Sequence, residues 1–196
     1  MALTTLAGRF RCYALPNFRE HQRRILYIGK ATSGSFDKPD DVERSFNGQG
    51  AFWDFARKLS ELANPDCNDL SNVAWSNIFK QGVVIGNPLG EVAEDQIEEA
   101  TRMLRKEVND LAPTIIVLVT IGYYEKIVKN AYNIAEGEIG EQALRQTKVE
   151  GEVCELWSRP RLDEIPPVVW LSHPMLKRRE YLQAALSLTA EIADWH

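Results

Sequence analysis

The sequence holds only three cysteines in 196 residues, Cys12, Cys67 and Cys154, odd in number and widely spaced. Such a set builds neither a disulfide framework nor a thiolate metal site, and reduced thiols are the expected state. Long apolar runs are also missing: none approaches the roughly 20 residues that a membrane-spanning helix needs. Residues 1–9 lack the basic start and apolar stretch of a secretory signal, so a cytoplasmic location is expected, with no membrane partner. Repeats, low-complexity tracts and dividing linkers are absent, and the length suits a single domain over residues 1–196. An excess of positive charge is lacking as well. The net charge is −5, which argues against a dedicated nucleic-acid binder.

The charge distribution qualifies that exclusion. Arg9, Arg11, Arg19, Arg23 and Arg24 face only Glu20 in the early chain, and Lys177-Arg178-Arg179 forms a second basic run. The acidic excess lies elsewhere, notably at Glu91, Glu94, Asp95, Glu98 and Glu99. A basic rim around one crevice and a scatter of solvated arginines are both compatible with this pattern.

What is present is a series of short apolar runs, at 25–28, 73–76, 114–121 and 168–171. Near-continuous, β-branched runs of this kind predict parallel strands buried on both faces. Between them, helical spacing predicts helices at 51–62, 91–111, 123–132 and 175–193. Residues 31–50, rich in Ser, Gly, Asp and Asn, read as a long loop, and 149–157 as a strand or a hairpin arm. The alternation predicts an α/β fold: a three-layer α/β/α sandwich around a mostly parallel sheet of about four strands. In such sheets ligands bind outside the carboxyl ends of the strands. Gly29 onward, Asn77, Gly122 and His173 are therefore expected to line one crevice.

Six motifs occur in order through residues 25–180. They are Gly29-Lys30-Ala31-Thr32 after the first strand, Phe46-Asn47-Gly48 before a helix, and Asn77-Ile78-Phe79-Lys80 after the second strand. Asn87-Pro88 then precedes an acidic helix, Pro113 opens the run to Gly122, and the last strand ends in Ser172-His173-Pro174. With these motifs the chain resembles the uracil-DNA glycosylase superfamily, closest to its bacterial family-4-like and family-5-like branches. The resemblance implies a uracil-DNA glycosylase-like fold and a pocket that reads a nucleobase flipped out of the stack. It implies that Phe46 stacks on the base, that Asn77 reads its edge, and that Lys30 and Ala31 lie in the base-binding loop. His173 would donate to the base carbonyl as negative charge develops there. Met175 and Leu176 would enter the duplex, while Lys177, Arg178 and Arg179 meet phosphates.

The sequence departs from that pattern in two places. The third position of the first motif, which in active relatives carries a polar group that orients water, is Ala31, and the usual proline is Thr32. A one-residue slip would bring Thr32, Ser33 or Ser35 to the sugar, with Asp37 or Asp40 reaching back. Family 4 and family 5 enzymes also hold an iron–sulfur cluster through four cysteines. Only Cys12 precedes the first motif here, so no iron–sulfur cluster and no other cofactor is expected.

Plainer readings exist for each residue: Asn77 as a turn cap, Phe46 as core, His173 as a buried bonded histidine, and Lys80 as a solvated amine. Three functions follow from the motifs. One is hydrolysis of the N-glycosidic bond of a damaged base in DNA, a step of base excision repair. The others are a catalytically inactive nucleobase- or nucleotide-binding module and a small-molecule nucleoside hydrolase.

Overall fold

Four apolar runs become parallel strands because both of their faces are covered. The computed structural model describes residues 12–30, 39–67, 69–79, 94–121, 124–134, 145–147, 156–175 and 177–194. Strands β1 (Ile25–Gly29), β2 (Val73–Asn77) and β3 (Ile115–Leu118) are buried at every position. Two short strands, β4 (Arg145–Thr147) and β5 (Leu156–Arg159), precede the buried β6 (Val168–Trp170). The sheet runs β2-β1-β3-β6-β5-β4, with the first four strands mutually parallel and β5 and β4 added antiparallel.

Side chains alternate between the two faces with the period of two that a strand imposes. Ile25, Tyr27, Val73, Trp75, Val117 and Val169 form one core with α2 (Ala51–Ala63) and α5 (Arg179–Ile192). Leu26, Ile28, Ala74, Ile116, Leu118 and Trp170 form the other with α3 (Glu94–Leu111) and α4 (Glu125–Tyr132). The α/β sandwich expected from the alternation is thus present, with one mixed, mostly parallel sheet. Among the described residues, no helix is long and apolar enough to cross a membrane.

Three expectations need correction. The sheet has six strands rather than about four, because β4 and β5 extend it beyond β6. Their sequences, Arg-Gln-Thr and Leu-Trp-Ser-Arg, carry no apolar run to announce a strand. The long loop at 31–50 contains a helix, α1 (Pro39–Phe46). Its sequence signal was proline at the first helical position, followed by two aspartates, in a stretch otherwise dominated by turn formers. The helix expected from Met175 begins at Arg179, since residues 173–175 turn away from β6 before α5 starts.

The chain passes from β1 to β2 on one side and then to β3 on the other. This reversal makes a switch point beside β1, the place where open α/β sheets take ligands. Backbone bonding continues past the strand ends: Ile78 N–H donates to Gly29 O, Phe79 N–H to Lys30 O, and Ile121 N–H to Leu171 O. The residues just past β1 and β2 are thus paired with each other, as are those just past β3 and β6.

Candidate functional site

Gly29 and Asn77 are register partners at the ends of β1 and β2. A Cβ on residue 29 would lie 2.7 Å from the Asn77 Oδ1 and 3.2 Å from the Phe52 ring. Glycine here is a packing requirement: it lets the Asn77 carboxamide and the Phe52 ring close over the end of β1. Asn77 is only 2% exposed, and its Nδ2 is buried without a hydrogen-bond partner among the described residues. An amide donor left in that condition costs about 1–3 kcal/mol, which an acceptor on a bound molecule would offset.

Phe52 connects this pair to His173. Its ring stacks on the imidazole with centroids 5.7 Å apart and planes 22° apart. Tyr27 fixes Phe52 from below, with ring centroids 4.6 Å apart and its hydroxyl donating to Phe52 O at 3.0 Å. His173 follows β6 and is half-buried. Its Nδ1 accepts the Met175 backbone N–H at 3.2 Å, so the neutral ring carries its proton on Nε2. Burial, and secondarily the positive charge of Lys30, push the imidazole pKa below its ordinary value. At neutral pH the ring is therefore an uncharged Nε2–H donor.

Asn77 and His173 come from two different strand ends and both lie by Phe52, while Lys30, at a third, acts on His173 through its charge. Phe46 does not join them. It is 0% exposed, with its ring 4.9 Å from Tyr13 and 5.5 Å from Trp53 in edge-on contacts. The core reading of Phe46 is the one the structure bears, and the aromatic beside His173 is Phe52. Sequence reasoning took Phe52 only as one apolar position of α2. The available signal was its place one turn after Gly48, at the start of the helix facing the strand ends.

Beyond His173, Met175 is 61% exposed, the one large apolar side chain so exposed among the described residues. Lys177 sits over the Tyr181 ring at 5.3 Å, and the Tyr181 hydroxyl accepts the Ser172 backbone N–H at 3.0 Å. This ties the His173 turn to α5. Lys177 and Arg179 also line an open groove of about 760 Å3 between α2 and α5, together with Lys58, Glu61 and Leu182. Arg178 is exposed at the N-cap of α5. Ala31, Thr32, Ser33, Lys80, Gly122 and Leu176 lie outside the described residues. Among the described residues no cluster of three or more His, Cys, Asp or Glu is arranged to hold a metal ion.

A half-buried aromatic, a buried amide donor and a neutral imidazole donor suit a flat, heteroaromatic ligand with carbonyl acceptors. Amide and imidazole meet hydrogen-bonding edges, and the ring supplies a stacking surface. In comparison with known proteins, the chain matches no family model and no curated protein.

Proposed function

We propose that the chain is a uracil-DNA glycosylase-like protein that binds a nucleobase at the ends of β1, β2 and β6 and hydrolyses its N-glycosidic bond in DNA. The observation that carries the reading is the buried, unpartnered Nδ2 of Asn77 beside Phe52, which itself stacks on His173. A base carbonyl supplies the acceptor that the amide lacks. The His173 Nε2–H then meets a second carbonyl, where charge accumulates as the base departs. One such aimed donor typically contributes a factor of about 10²–10³ in rate. Met175, Lys177 and Arg178 follow His173 in the chain, and we assign them to the duplex and its phosphates.

Ala31 favours a second reading, in which the same site binds the base without cleaving it. A missing group at the sugar costs several kcal/mol of barrier, or roughly two or more powers of ten in rate. The distinguishing experiment uses labelled single- and double-stranded DNA containing uracil, hypoxanthine or xanthine, followed by alkaline cleavage. Strand scission at one of these bases supports the hydrolase. Saturable binding with every strand intact supports the non-cleaving module, and absence of both removes the reading.

A further inference from the structure

Arg159 ends β5 and pairs with Val168 at the amino end of β6, so it lies at the edge of the sheet opposite His173. Directly paired residues of an antiparallel ladder share a face. Val168 belongs to the core beneath α3 and α4, as does Trp157 two residues before Arg159. The Arg159 side chain therefore projects into that apolar layer. It is 0% exposed, and its Nε, Nη1 and Nη2 are all buried with no hydrogen-bond partner among the described residues. Asp163 and Glu164, which follow it in the chain, are exposed in the turn between Leu162 and Ile165, and Arg159 bonds neither.

This arrangement is costly as it stands. Buried arginines are found paired, because an uncompensated charge in an apolar surround loses its hydration without replacement. Burial pushes the guanidinium pKa below its ordinary value. Proton loss is not a way out, since arginine keeps its proton in proteins. Three unpaired nitrogens in one plane also exceed what a lone buried water can satisfy. The group that fits is a planar or tetrahedral oxyanion, which accepts two parallel N–H bonds from the guanidinium fork.

We propose that Arg159 anchors a closed anion site that takes one small oxyanion, a phosphate or a carboxylate group, in a bidentate grip. The site is separate from the strand-end crevice and does not depend on the nucleobase reading. A charge-compensating ligand binds the folded state alone, so it raises the melting temperature by mass action.

The test is thermal unfolding of the full chain after dialysis into chloride buffer. Inorganic phosphate and succinate are added in separate arms at about 10 mM, each against sodium chloride of matched ionic strength. A wild-type rise of roughly 3–10 °C in one arm is expected for a domain of this size, and the responding arm identifies phosphate or carboxylate as the class. Arg159→Lys, which keeps the charge but loses the fork, should retain less than about half of that rise. Arg159→Met should lose the response and, without added oxyanion, melt at or above the wild type. Three results overturn the proposal: no wild-type response in either arm, an unchanged response in Arg159→Met, or an Arg159→Met protein that fails to fold or melts well below the wild type. The last would mean that the guanidinium is compensated by the chain itself.

Discussion

The Phe52 ring lies nearly parallel to the His173 imidazole, 5.7 Å away between centroids. Phe52 comes from the first turn of α2, whereas His173 comes from the turn after β6. A helix start and a strand end thus share one aromatic stack at the mouth of the sheet.

Replacing Phe52 by alanine is expected to remove the stacking surface and to loosen His173. Stacking of a base on an aromatic side chain is worth about 1–3 kcal/mol, so base affinity should fall by roughly 5- to 150-fold. Phe46→Leu, by contrast, alters only the core contact with Tyr13 and Trp53. It should lower the melting temperature through the core volume lost, while leaving affinity within about twofold. Fluorescence titration with a uracil-containing oligonucleotide, beside a thermal melt, separates the two variants.

Gly29→Ala drives a methyl group to 2.7 Å from the Asn77 Oδ1. Either the carboxamide or the Phe52 ring must move, at a cost of about 1–3 kcal/mol in stability. Chemical denaturation should show a lower midpoint with an unchanged slope, together with weakened base binding. A variant that kept both properties would contradict the close approach on which the site is built.

Asn77→Ala should cost little stability, because the lost amide donor makes no bond in the free protein. Base affinity should nevertheless fall by roughly 10- to 100-fold, the loss expected when a buried donor to the ligand is deleted. Asn77→Asp exchanges the donor for a carboxylate facing the base carbonyl and should abolish binding. Calorimetric titration of all three proteins checks the order: wild type tightest, Ala weaker, Asp absent.

The His173 imidazole is held below its ordinary pKa of 6.5 by burial first and by Lys30 second. Between that lowered value and 6.5 the unfolded chain binds more protons than the folded one. Stability from the neutral ring is therefore complete above about pH 6.5 and is lost as the pH falls through the folded pKa. Lys30→Met removes the second cause only. NMR titration of the ring should show its midpoint rising in that variant while staying below the ordinary value. A midpoint that failed to rise would detach Lys30 from the site.

The parallel half of the fold was legible because strands buried on both faces are mostly apolar. β1, β3 and β6 meet that condition, and β2 meets it up to Ser76 and Asn77, which are buried at its end. β4 and α1 escaped, and β5 only overlaps the end of the strand or hairpin arm expected at 149–157, because tertiary contacts, not local composition, decide short polar segments. At the site the error was the aromatic. A Phe before Asn-Gly pointed to Phe46, but that ring is consumed by Tyr13 and Trp53, and the residue that faces His173 reads in sequence as one more apolar position of a helix. Arg159 gave no sequence signal at all, since only the strand register puts its side chain on the face shared with Val168 and Trp157.

In the proposed function Asn77 and His173 read one base across the Phe52 ring. Titration of 15N-labelled protein with single-stranded DNA carrying one uracil tests it directly, with the Asn77 side-chain amide and the His173 Nε2–H as reporters. Both signals should move together and saturate at one equivalent, and the same strand with cytosine in place of uracil should leave them still. Saturable DNA binding in which neither signal moves, or no binding at all, would contradict the account.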